Sequence, residues 1–254
     1  MSTDYSNVFK KATLDLYLKE LSREYKRLVG RNMPAEIILI GGAAVIEGYG
    51  FREMTTDVDA IITAASAMKD AINMVGDRYG LPNGWLNADF QKTASYTDKL
   101  LQYSSFYKTF NQVLNVRIVT GEYLIVMKLR AFRQYKNDIS DIVGVLAEHE
   151  SRGDSITLER IDLAAENLYG SWDDFPEGAR SFIIKTLSAG NYEEIYGRVR
   201  KNETDIREQL VDFQKDNPGA LTEENVGNVL NILRSKKASG DRKDDNGAST
   251  EMKN

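Results

Sequence analysis

The stretch from Ile37 to Ile62, IILIGGAAVIEGYGFREMTTDVDAII, leaves few folds open to this chain. Ile37–Ile40 is a short apolar run that reads as a buried strand. Gly41-Gly42 ends it and opens Ala43–Tyr49, which reads as a short helix. After Thr55-Thr56, the segment Asp57–Ile62 reads as a second strand with one wet and one dry face. A two-residue period puts Asp57 and Asp59 on the same face. Two carboxylates held side by side repel each other unless a cation lies between them. A hard divalent ion such as Mg²⁺ takes oxygen ligands, often one or two carboxylates plus substrate phosphates. The glycine turn supplies the complement, because N–H groups at a helix N-terminus make a phosphate seat. Glycine also lets a triphosphate approach without a Cβ in the way.

The rest of the sequence narrows the setting. With no cysteine and one histidine, His149, the chain of 254 residues has no thiolate or His-rich metal site, so any catalytic metal would be held by carboxylates. The N-terminus has no hydrophobic signal region, and no apolar run is long enough for a membrane span. The expectation is a cytoplasmic protein without membrane association. A net charge of −5 argues against a surface that coats nucleic acid. Basic residues nevertheless cluster at Lys10–Arg31 and at Arg117–Lys136. Such faces would seat a tRNA or a nucleotide tail, or would simply be solvated helix faces, the plainer reading of the first cluster.

Leu14, Leu18, Leu21, Tyr25 and Leu28 give an amphipathic helix over 8–31. A further helix is expected over 66–79, then a loop over 83–90 with Trp85 as a core plug over the sheet edge; base stacking is the alternative for Trp85. Residues 91–112 read either as a helix or as a lid-like excursion. Leu114–Val119 alternates as a strand. Tyr123–Tyr135 reads as a helix with Lys128 bordering its buried face, where a lysine snorkels or finds a partner. Another helix follows from Asn137, with Asp138 and Asp141 neighbours on one face. From 151 the pattern is helical, at about 157–168, 177–187, 191–199, 203–215 and 222–235. The charged stretch from 236 is expected to be a disordered tail.

Gly41-Gly42, a spacer and Asp57-Val58-Asp59 resemble the signature of the nucleotidyltransferase (polymerase-beta-like) superfamily. With Arg52 and Thr55 ahead of the acids, the pattern is most similar to the small bacterial nucleotidyltransferases related to AbiE-type toxins. Lys128-Leu129-Arg130-Ala131 and Asp138-Ile139-Ser140-Asp141 are similar to a second block of that family. The resemblance covers roughly 35–150. It implies an α/β (α+β) fold with a mixed, mostly antiparallel sheet flanked by helices. The implied layout is a nucleotidyltransferase-like domain at 1–150, a small helical domain at 151–235 and the tail at 236–254. It also implies transfer of a nucleoside monophosphate from an NTP to an acceptor hydroxyl.

In these roles Asp57 and Asp59 hold Mg²⁺ or Mn²⁺, and Gly41, Gly42, Arg52, Thr55 and Lys128 meet the nucleotide. Asp141, or else Asp138, serves the acceptor hydroxyl. The residues leave other roles open: Lys128 paired with Asp138 or Asp141, Asp138 as a helix cap, and Arg52 paired with Glu47 or Glu53. A tRNA acceptor and an antitoxin protein as partner are further implications. The family's third strand carboxylate has no counterpart here, where Asn115 and Arg117 stand instead. The alternative is therefore a catalytically inactive nucleotide- or partner-binding protein that keeps the fold.

Overall fold

The computed structural model describes residues 8–222 and 225–245. The chain runs through α1 (Lys11–Val29), β1 (Ala35–Leu39), α2 (Gly41–Gly48), β2 (Val58–Thr63), α3 (Ala67–Tyr79) and β3 (Leu86–Asn87). It continues with β4 (Ser104–Phe110), β5 (Leu114–Val119), α4 (Gly121–Ala131), α5 (Asp138–Ser151), α6 (Leu158–Tyr169), α7 (Ala179–Ala189), α8 (Tyr192–Asp216) and α9 (Val226–Asp245). The five strands form one mixed sheet in the order β3-β2-β1-β5-β4.

β1 lies at the centre, antiparallel to β2 and parallel to β5. A strand covered on both faces needs apolar side chains on both, and Ile37, Ile38 and Leu39 are all buried. The outer pairs are β2–β3, parallel, and β4–β5, antiparallel. The sheet is thus evenly mixed rather than mostly antiparallel. The segment left undecided between helix and lid becomes two short 3-10 turns, Asp89–Lys92 and Asp98–Gln102, followed by the edge strand β4. Its hairpin to β5 turns through Asn111 and Gln112, both with positive φ.

The chain divides into two compact units. Among the described residues the first holds 8–133 and 137–199, with the sheet and its helices. Leu14, Leu18, Leu21 and Tyr25 of α1 are fully buried, whereas Leu28 is partly exposed. α1 packs against α3, and α4 against α5, α6 and α7. Trp85 is the expected plug: it is buried, and its Nε1 donates to Ile72 O at 3.0 Å. Among the described residues the second unit holds 134–136, 200–222 and 225–245, and its small core is Ile206, Leu210, Val226 and Leu230. The two helices expected at 191–199 and 203–215 are one, α8, because Arg200-Lys201-Asn202 contains no helix breaker. α9 continues to Asp245, into the stretch whose composition predicted disorder. Lys and Arg sustain a helix well in water, which low hydrophobicity alone does not rule out. Residues 246–254 lie outside the described residues.

Candidate functional site

The site forms where β1 ends. Ile40 is extended, and Gly41 takes φ +55, a conformation that disfavours any side chain. α2 begins at that glycine, so its first N–H groups open at the strand end. A Cβ on Gly41 would lie 3.5 Å from Asp59 Oδ2. A Cβ on Gly42 would collide with Thr55 Oγ1 and sit 3.1 Å from Arg52 Nη2. The two glycines therefore press one onto the second carboxylate and the other onto the loop ahead of it. Asp57 stands exposed just before β2, and Asp59 is half-buried at its start, beside Asn87 of β3.

Thr55 is the joint between these parts. It is buried, its Oγ1 donates to Asp57 Oδ1 at 3.1 Å, and Arg52 Nη2 donates to that same Oγ1 at 3.4 Å. Arg52 pairs with neither Glu47 nor Glu53 in the contacts described. Its Nη1 meets Asp141 Oδ2 at 2.6 Å, and its Nε donates to Met54 O. Lys128 then binds Asp141 Oδ2 at 2.7 Å and Asp138 Oδ1 at 3.3 Å. Arg133 holds Asp138 through Nε at 2.7 Å, through Nη2 at 3.2 Å and through its own backbone N–H. A continuous polar chain thus runs from Asp57 through Thr55, Arg52, Asp141, Lys128 and Asp138 to Arg133.

Most of that chain is dry. Lys128 is 7% exposed, and Asp138 and Asp141 are 2%. Burial works against the Lys128 charge, yet the Asp141 and Asp138 carboxylates outweigh it and hold its pKa above the usual lysine value. Burial likewise opposes the Asp138 charge, but Lys128 and Arg133 keep its pKa below the usual carboxylate range. Asn137, not Asp138, stands at the cap position of α5.

The loop that carries Arg52 is laid along α5 turn by turn. Arg152 donates to Gly48 O, Tyr49 meets His149, and Gly50 N–H donates to Glu148. The Phe51 ring fills the place a Cβ of Gly144 would take. Arg52 then reaches Asp141. Gly144 and Phe51 escaped the sequence reading. The only signal was a glycine inside an apolar helical run, which pointed to close packing but to no partner.

Residues 17–165 match the model of a family described as nucleotidyltransferase of unknown function (DUF6036). The chain belongs to that family. No curated protein and no solved structure matches it. The match covers every residue of the polar chain and glycine turn described above. On β5, Arg117 shares a register row with Ile38 and Ile61, so it lies on the Asp59 face. Its guanidinium is bound to the Ser104 side chain and carbonyl. Among the described residues no group of three or more His, Cys, Asp or Glu could hold a metal. Asp57 and Asp59 still suit a hard ion that keeps water and takes its remaining ligands from phosphates. The basic clusters are largely committed elsewhere. Lys11 and Lys26 bind backbone carbonyls, Arg23 and Arg27 pair with Glu20 and Glu24, and Arg130 lies over Tyr169 and Phe175. No helix among the described residues is long and apolar enough to cross a membrane.

Proposed function

We propose that this nucleotidyltransferase-family chain moves a nucleoside monophosphate from an NTP to an acceptor hydroxyl. The observation that supports it most is the meeting of the Gly41-Gly42 turn with Asp59 and with the Arg52–Thr55–Asp57 relay. Asp57 and Asp59 would hold Mg²⁺ or Mn²⁺, which when bound neutralises charge on the phosphates. Gly41 and Gly42 let the phosphates reach the N-terminal amides of α2. Arg52, 16% exposed at its side chain, holds Nη2 beside Gly42, where its charge would face the same phosphates. Lys128, Asp138 and Asp141 are buried and already paired, so in this reading they position Arg52 and do not touch the substrate. The acceptor oxygen bonds to the α-phosphorus as the bond to pyrophosphate breaks, and the hydroxyl proton leaves to solvent.

The finer likeness to AbiE-type toxins makes tRNA the first acceptor to try and a small antitoxin the partner to seek. The test incubates the protein with each labelled NTP, Mg²⁺ and total tRNA, beside an Asp57→Ala/Asp59→Ala variant. Label transfer that the variant loses supports the proposal. NTP binding without transfer to any acceptor class favours the second reading, a catalytically inactive nucleotide- or partner-binding protein. That reading draws on the two-carboxylate site, which lacks a third acid among the described residues. Absence of NTP binding overturns both.

A further inference from the structure

The loop bearing Arg52, Thr55 and Asp57 is gripped by residues outside the span matched to the family. Phe9 precedes that span, and its main chain forms an isolated antiparallel bridge with Thr55. Phe9 N–H donates to Thr55 O at 2.7 Å, and Thr55 N–H donates to Phe9 O at 2.9 Å. The Phe9 ring is 1% exposed, stacked on Trp85 at 6.1 Å and edge-on to Tyr17. Burial of the ring anchors the bridge from behind. Tyr196 of α8 follows the matched span; it packs edge-on against Phe51 and donates to Phe51 O at 3.3 Å.

Both main-chain polar groups of Thr55 are thereby taken by Phe9, while its hydroxyl is taken by Asp57 and Arg52. A threonine fixed at all three polar atoms has one position, and its neighbours inherit it. We propose that Phe9 is a positioning residue of the nucleotide site: its backbone fixes Thr55 and, through Thr55, the seats of Asp57 and Arg52. This rests on the metal and nucleotide reading given above.

The test separates ring from amide. Phe9→Ala and Phe9→Pro both remove the ring, and only the proline removes the N–H that binds Thr55 O. Mn²⁺ affinity is read by electron paramagnetic resonance titration, and the Thr55–Asp57 amides by hydrogen exchange. Phe9→Pro should bind Mn²⁺ about 10-fold more weakly than Phe9→Ala, the scale of losing a residue that orients a metal ligand. Its Asp57 amide should exchange faster while α5 amides stay unchanged. Phe9→Leu, which keeps bridge and bulk, should bind Mn²⁺ like the wild type. Equal Mn²⁺ affinity and equal loop exchange in the alanine and proline variants would overturn the proposal. If the proline variant does not fold, Phe9→Ala decides: faster exchange of the Thr55 amide supports the anchor, and wild-type exchange refutes it. A wild type that binds no Mn²⁺ overturns the metal reading instead, and loop exchange alone then judges the bridge.

Discussion

Replacing Lys128 by Met tests the buried relay, because it removes one charge and keeps most of the volume. In the wild type the ammonium touches Asp141 at 2.7 Å and Asp138 at 3.3 Å. The variant leaves both carboxylates buried, but each keeps an arginine: Arg52 on Asp141 and Arg133 on Asp138. Breaking a buried pair outright costs about 3–5 kcal/mol, and the retained arginines place this change at the lower end, about 3 kcal/mol. At roughly 2–4 °C per kcal/mol for a unit of this size, the melting temperature should fall by about 6–12 °C. The pH dependence gives a second check. Asp138 has a depressed pKa, so its contribution is present above the unfolded carboxylate value and is lost as pH falls through the folded value. Lys128 has a raised pKa, so its contribution is complete below the unfolded lysine value and is lost as pH rises through the folded one. The gap between wild type and variant should therefore be flat from about pH 5 to 10 and close at both ends. Calorimetric melting from pH 3 to 11 measures it. A gap under about 2 °C at pH 7, or one that stays constant into acid, would refute the account of the relay.

Gly42→Ala drives a methyl into Thr55 and Arg52, so NTP and Mn²⁺ affinity, read by titration calorimetry, should fall by at least about 10-fold; binding at wild-type strength would refute the fit of that turn. Gly144→Ala should cost about 1–3 kcal/mol by overpacking against Phe51, and Phe51→Ala in the same chain should restore part of it; additive losses in a denaturation cycle would contradict their contact. Glu47 is buried with Oε1 lacking a partner, and burial, against the Tyr107 hydrogen bond, raises its pKa. A raised carboxyl pKa gives stability that is full below the unfolded value and lost as pH rises through the folded value. Glu47→Gln should therefore gain stability relative to wild type between pH 5 and 8 and show no gain at pH 4; a pH-independent difference in melting temperature would refute the shift.

The parts of the site that were legible in the sequence are local. Ile37–Ile62 showed its strand, turn and acids because a short apolar run, two glycines and a two-residue alternation are each readable within a few residues. The helix begun near Tyr123 and its lysine were legible for the same reason, but the expected end at Tyr135 was not met, because the helix stops at Ala131 and Phe132 turns left-handed. What Lys128 touches was left among alternatives, since phosphate and carboxylate satisfy an ammonium equally well on paper. The structure adds that both aspartates pair with it at once. β3 has two residues, too few for any alternation to register. β4 was hidden because its residues Phe106, Tyr107 and Phe110 suit a helix face as readily as an edge strand. The seating of Phe51 under Gly144 joins distant segments, and no local pattern reports such a meeting.

Folding order gives the ladder along α5 another meaning. Its contacts join Gly48–Arg52 to Asp141–Arg152 across separations of 89 to 104 residues. At a synthesis rate of about 5–20 residues per second, β1 and the glycine turn would leave the ribosome roughly 5–20 s before α5 does. Throughout that interval Arg52 lacks Asp141 and the loop lacks the helix it is laid along. The nascent chain thus carries the glycine turn and its two acids early, and gains their partners on α5 late.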